Sequence, residues 1–367
     1  MARLRIGYVG CGGLAQLVHL PNIVAASGRC ELRAIAEVRP RLARQVADHY
    51  RIPRVHASHH DLAADPDIDA VVVSAHWATQ GDIAADLLMA GKDVLMEKPM
   101  AASSAQGERV LDAARRSGRR LMVAYMKRYD AGNVLLKDSI TKYSANGAIG
   151  RLRYVRNQAI LGDWMAGLDT PFFTTDEPYP AVTDHWPDWL PVASRQHYFG
   201  YVQQLTHNIN FLRWLLDAKA GGVSVRAVEL DAADGYTGVV LFNIDGVTVS
   251  MESGSMRCPE WNERTSVFFE HGSIESRMFT LLLKNVPSTV EIYAAENPKG
   301  GSSRTELFPV DGRTWAYRNE LEHFIDCLQS GAPFRSAAED ALEDVRILES
   351  IYRRHVQKTA AVATAAA

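Results

Sequence analysis

The chain has no Cys-x-x-Cys pair. Its four cysteines, Cys11, Cys30, Cys258 and Cys327, are scattered through 367 residues. That spacing excludes a zinc ribbon or a thiol-exchange site and suits a reducing compartment. Long apolar runs are also missing, and the opening Met1-Ala2-Arg3-Leu4-Arg5-Ile6-Gly7 lacks the apolar core of a secretory signal. A cytoplasmic location is therefore expected. Charge of one sign is not in excess: 40 Lys and Arg stand against 43 Asp and Glu, a net charge of −3. Such a balance offers no whole-chain attraction for nucleic acid or an acidic membrane. There is no internal repeat and no low-complexity linker. The length of 367 residues points to two domains, each able to bury its own core.

What the first third does contain is valine-rich runs alternating with amphipathic segments, the pattern of a parallel sheet covered on both faces. Residues 3–9 read as a strand, followed by Gly10-Cys11-Gly12-Gly13-Leu14-Ala15 and a helical stretch. The next strand, 32–37, ends in Glu37. A Gly-x-Gly-x-x-Ala turn with a strand before, a helix after and an acid about 20 residues on is a dinucleotide-binding arrangement. Gly10 makes the tight turn, Gly12 admits the pyrophosphate, and Ala15 lets the helix pack close, with Gly13 and Leu14 completing the turn. Glu37 should accept the adenosine ribose hydroxyls, which favours NAD. Arg39 and Arg41 follow closely and leave NADP open.

The stretch Ala90-Gly91-Lys92-Asp93-Val94-Leu95-Met96-Glu97-Lys98-Pro99 is a short strand running into an acid, a base and a proline. Open α/β sheets bind ligands at the carboxyl ends of their strands, so Lys98 is placed for chemistry. Proline keeps Lys98 out of a following helix. These residues alone leave an ordinary surface lysine equally open. A helix over 103–117 and a strand over 120–124 close a domain at 1–124.

Beyond Tyr125 the pattern changes to strand-like segments joined by short turns, including an Asp245-Gly246 hairpin signal. A second domain over 125–338 with a largely antiparallel sheet is expected, then a C-terminal helix and a frayed tail over 339–367. The fold class is thus α/β, an N-terminal Rossmann domain plus a C-terminal α+β domain. Within the second domain, 198–217 reads as a helix with two stripes. One is apolar. The other carries Gln203, His207, Asn210 and Trp214, groups that orient ligands or move protons, so it reads as the wall of a site. A satisfied structural histidine is the alternative.

The glycine turn, the Glu97-Lys98-Pro99 strand end and the His207-x-x-Asn210-x-x-Arg213-Trp214 helix together resemble the glucose-fructose oxidoreductase, inositol dehydrogenase and MocA (Gfo/Idh/MocA) family. The resemblance implies NAD(P), an open-faced sheet in the second domain, a homodimer or homotetramer, and hydride transfer at a sugar or cyclitol carbon with Lys98 and His207 as catalytic groups. By the same resemblance Ala75, Trp77, Glu97 and Lys98 join Glu37 and Arg39 at the cofactor, while Gln203, Asn210, Tyr125 and Arg128 face substrate. No metal is implied. Two departures stand out. Gln203 replaces the family's usual aspartate before the histidine, and Ala75-His76-Trp77 replaces its Thr-Pro-Asn, which takes the site away from standard inositol or glucose chemistry.

The insertion over 161–197 is rich in aromatics, among them Trp164, Phe172, Phe173, Tyr179, Trp186 and Trp189. It carries Asp163, Asp169, Asp176, Glu177, Asp184 and Asp188, and between Leu161 and Ser194 neither Lys nor Arg. Rings that cover sugar CH faces beside acids that attract ammonium groups point to an amine-bearing carbohydrate, with Trp164 and Asp163 among its contacts. The expected activity is oxidation of a ring hydroxyl, C3 in the working assignment, of an amino sugar or aminoglycoside to a ketone for later transamination. The alternatives are a neutral sugar or cyclitol dehydrogenase, an NAD-assisted glycosidase, and a non-catalytic NAD-sensing regulator.

Overall fold

In the computed structural model, residues 3–168, 170–280, 282–297, 301–309 and 315–366 are described. The chain forms two compact units. Unit 1 comprises Met1–Tyr125, Asp169–Asp188 and Tyr317–Arg346, and unit 2 comprises Met126–Leu168, Trp189–Ala316 and Ile347–Ala367. The insertion is therefore shared: Asp163 and Trp164 go with unit 2, and the stretch through Asp188 goes with unit 1. Asp169 lies outside the described residues.

Unit 1 is built on strands β1 (Leu4–Val9), β2 (Cys30–Ala36), β3 (Arg54–His56), β4 (Ala70–Val73), β5 (Asp93–Glu97) and β6 (Leu121–Ala124), in spatial order β3-β2-β1-β4-β5-β6 and all parallel. Every residue of β4 is at most 1% exposed, as a central strand between two helical layers requires. The helices of its first segment are α1 (Leu20–Ala25), α2 (Pro40–Tyr50), α3 (His59–Ala63), α4 (Gln80–Met89) and α5 (Ser104–Ser117). The helix expected directly after the glycine turn opens as one π-helical turn, Ala15–His19, that feeds α1. Strand order reverses across β1 and β4, so their carboxyl ends form the switch point where open sheets bind ligands.

Unit 2 holds α6 (Ala131–Asn146), β7 (Leu152–Leu161) and α7 (Arg195–Leu215), followed by β8 (Val223–Leu230), β9 (Gly238–Ile244), β10 (Val247–Ser255), β11 (Trp261–Phe269), β12 (Gly272–Met278), β13 (Thr289–Asn297) and β14 (Gly301–Leu307). The sheet order is β14-β13-β12-β11-β7-β10-β9-β8, antiparallel except between β7 and β10. Asp245 (φ 45°) and Gly246 (φ 92°) turn β9 into β10 with both residues left-handed, the geometry that an Asp-Gly pair favours. Helices α8 (Ala316–Ser330) and α9 (Ala338–Ala366) end the chain. The tail expected to fray instead continues α9 to Ala366, because alanine is the best helix former and the helix is already nucleated upstream. Among the described residues no helix is long and apolar enough to cross a membrane.

Candidate functional site

At the end of β1 the chain turns at Gly10 with φ 95°, and a Cβ there would lie 2.3 Å from the Ser74 carbonyl oxygen. Only glycine fits. A Cβ at Gly12 would meet nothing within 4 Å, which leaves the close backbone approach that a pyrophosphate needs. Ala15 is fully buried, while Leu14 and Ala75 are half-buried beside the turn. Glu37, at 5% exposure, accepts the Cys11 amide at 2.7 Å and so ties the end of β2 to the glycine turn. It also accepts Arg39 through the backbone amide (3.1 Å), Nε (2.8 Å) and Nη2 (3.0 Å). Glycine turn, helix start and acid fit a dinucleotide, with Glu37 already held by its own neighbours.

The part of the insertion that belongs to unit 1, residues 170–188, lies along this edge as a strap. Phe172 would touch a Cβ at Gly13 at 3.3 Å. Phe173 and Gln16 exchange two bonds: the Phe173 amide donates to Gln16 Oε1 (2.8 Å) and Gln16 Nε2 donates to the Phe173 carbonyl (3.0 Å). Asp176 pairs with Arg41. Glu177 accepts the backbone amides of Arg41 (2.9 Å) and Leu42 (3.1 Å) at the start of α2, with Thr175 Oγ1 donating at 2.8 Å. Burial works against ionisation there, but these donors and the Arg41 charge hold the Glu177 carboxyl below the usual carboxylate range. Tyr179 lies 5.4 Å from the Arg39 guanidinium and 5.8 Å from the His76 ring. Trp186 packs on Trp77 with centroids 4.7 Å apart, and His185 pairs with Asp82 at 2.6 Å. Two acids expected to recognise a cation are thus engaged with Arg41 and α2.

The turn that carries Lys98 is fixed from both sides. Glu97 Oε1 meets His19 Nε2 at 2.9 Å, and Glu97 Oε2 accepts the Lys98 amide at 3.1 Å. Gln80 Nε2 donates to the Pro99 carbonyl at 2.6 Å, the Lys98-Pro99 bond is cis, and Lys98 itself is half-buried. Glu97 is buried at 6% exposure and acts on the turn. Sequence reading did not find His19 or Glu320, whereas Gln80 stands in sequence where the family resemblance puts a histidine. Glu320 is 1% exposed on α8, and among the described residues neither of its carboxyl oxygens has a hydrogen-bond partner. Burial, reinforced by the charge of Glu97, pushes its pKa well above the ordinary value. The folded state keeps this proton after the unfolded chain loses it near pH 4.3, so stability falls as pH rises, by about 1.4 kcal/mol per unit from this group until its folded pKa is reached. Glu320→Gln should therefore match wild type in melting temperature near pH 4 and exceed it increasingly as pH rises above that; a pH-independent gap would contradict this.

In unit 2 the polar stripe of α7 is present. His207 is 6% and Asn210 1% exposed, while Gln203 and Trp214 are half-buried. Arg128 Nε donates to Asn210 Oδ1 at 2.6 Å and Arg128 Nη2 to the Asn210 carbonyl at 3.2 Å. These two expected substrate contacts are therefore bonded to each other. Between them and the sheet lies a buried network absent from the sequence reading. Lys127 pairs with Glu263, and Asn208 Nδ2 donates to Asn157 Oδ1 (2.9 Å) and Glu263 Oε1 (3.0 Å). Trp164 is 43% exposed, and Thr280 Oγ1 donates to its carbonyl at 2.8 Å. Asp163 borders an open depression of about 400 Å³ with Arg257 and Cys258. Tyr125, at 1% exposure, is the last residue of the first segment of unit 1.

Residues 4–125 match the model of Gfo/Idh/MocA, an oxidoreductase family with an NAD-binding Rossmann fold. Over these residues the chain is similar to that family. It is 24% identical over 345 residues to myo-inositol 2-dehydrogenase of Thermotoga maritima, covering 92% of each chain. With inositol 2-dehydrogenase of Salmonella paratyphi B it shares 28% identity over 200 residues, 50% of this chain and 58% of that protein. The chain thus spans somewhat over half the length of that relative. Among solved structures, KijD10, a 3-ketoreductase from Actinomadura kijaniata in complex with NADP and TDP-benzene, has the same fold with a TM-score of 0.71, 18% identity and coverage of 95% and 97%. The chain therefore carries an NAD(P)-binding Rossmann unit and a mostly antiparallel sheet unit.

Proposed function

We propose that the protein is an NAD(P)-dependent dehydrogenase that oxidises a secondary ring hydroxyl of a sugar or cyclitol to a ketone. The observation that carries this reading is the shared edge of the parallel sheet: the glycine turn with Glu37 and the fixed Lys98 turn both stand at carboxyl ends of its strands. When bound, nicotinamide supplies the hydride acceptor. Lys98 takes the hydroxyl proton while the C–H electron pair leaves with the hydride, which balances the oxidation. His207 is the proposed second proton-transfer group. The inositol 2-dehydrogenases and the 3-ketoreductase to which the chain is similar support the substrate class.

The finer proposal is an amine-bearing ring oxidised at C3 by a homo-oligomeric enzyme. With Asp176 and Glu177 engaged, its support narrows to Asp163, Asp184 and Asp188, all exposed. The test follows NADH or NADPH formation by purified protein with aminoglycosides and simple amino sugars set against neutral cyclitols and hexoses. Turnover of amine-bearing members well above neutral ones is expected; equal turnover would remove the amine and keep the dehydrogenase. Glycoside cleavage without net NADH would replace it with an NAD-assisted hydrolase.

A further inference from the structure

The strap brings its acids to the one place on a Rossmann unit where NAD and NADP differ. The adenosine ribose of a dinucleotide reaches the acid that ends the second strand, and an arginine nearby accommodates the extra phosphate of NADP. Here that acid is Glu37, and the available donors are Arg39, Arg41 and the amides opening α2. All are taken by carboxylates of the chain itself. Arg39 is bonded to Glu37 through Nε and Nη2. Arg41 pairs with Asp176 and lies 3.7 Å from Glu177. The Arg41 and Leu42 amides point at the two oxygens of Glu177, whose side chain is 12% exposed. A carboxylate shared by helix-terminal amides and a guanidinium uses the same donors that a phosphate monoester would use.

We propose that Asp176 and Glu177 set the cofactor choice: their carboxylates occupy the donors that would bind the ribose phosphate of NADP, and so restrict the protein to NAD. The inference rests on the dinucleotide reading above and assigns the choice to residues outside the Rossmann motif. For NADP to bind, its phosphate must displace Glu177 and then face two displaced carboxylates, a repulsion that NAD does not meet. Arg39 and Arg41, which in sequence leave NADP open, are withdrawn by these pairs.

The test uses the full chain and binding calorimetry with ADP and 2′,5′-ADP, then NAD and NADP, so that it needs no turnover. Wild type should bind ADP at least about tenfold more tightly than 2′,5′-ADP. Asp176→Asn with Glu177→Gln keeps the Glu177 side-chain carbonyl as an acceptor for α2, leaves ADP binding unchanged and should tighten 2′,5′-ADP by about tenfold or more. Adding Arg41→Ala should remove that gain. Equal wild-type affinities, or a ratio that the double substitution does not move while ADP still binds, would overturn the inference alone. Failure of wild type to bind any of these nucleotides would overturn the dinucleotide reading and the inference with it.

Discussion

Lys98→Ala should lower kcat by about a hundredfold to ten-thousandfold, the usual contribution of a positioned acid or base, while leaving the dissociation constant for NAD within about twofold. The split follows from the local construction. The backbone at Lys98 is held by Glu97 and, through the Pro99 carbonyl, by Gln80, and neither contact uses the lysine side chain. The glycine turn and Glu37 are anchored separately through the Cys11 amide. Truncating the side chain thus removes the proposed proton acceptor and keeps these backbone contacts and the Glu37 anchor. Measuring NADH formation at saturating substrate together with calorimetric NAD affinity distinguishes the outcomes. Near-normal turnover would dismiss Lys98 as the base, and equal losses in both quantities would make it a structural or cofactor-holding residue.

The sequence made the parallel sheet readable because the buried valines of β4 and the strand before Lys98 have no plausible solvent-facing arrangement, and because glycine is obligatory at Gly10. In the second sheet, β12 leaves no clear apolar alternation in the sequence, because its inward residues Ile274, Ser276 and Met278 include a buried serine. β14 (Gly301–Leu307) carries almost no buried side chain. An exposed edge strand leaves no hydrophobic period to find. The site divides the same way. The Lys98 turn and the glycine turn are local in sequence and so are legible in it. The partnerships of Glu177 with the start of α2, Glu97 with His19, and Lys127 with Glu263 join residues 135, 78 and 136 positions apart. Nothing in a single sequence reports such separations, so Asp176 and Glu177 read in sequence as free to face substrate.

Lys127→Met should destabilise the protein by about 3–5 kcal/mol, because it leaves the Glu263 carboxylate buried without its counter-charge. Lys127 and Glu263 have side chains only 3% and 1% exposed, so water cannot replace the lost partner. Glu263 retains Asn208 Nδ2 at 3.0 Å and Trp261 Nε1 at 3.3 Å, enough to orient it but not to neutralise it. Removing the charge along with the lysine should undo most of the loss: Lys127→Met with Glu263→Gln keeps an acceptor for Asn208 and is expected to recover all but about 1–2 kcal/mol. Urea unfolding of wild type and the two variants measures both numbers. The network also bears on the proposed chemistry, since Asn208 and Arg128 adjoin His207 and Lys127 in sequence and hold α7 from its buried side. A Lys127→Met protein as stable as wild type would mean that the pair carries no net charge separation in the fold, and the network would then serve packing alone.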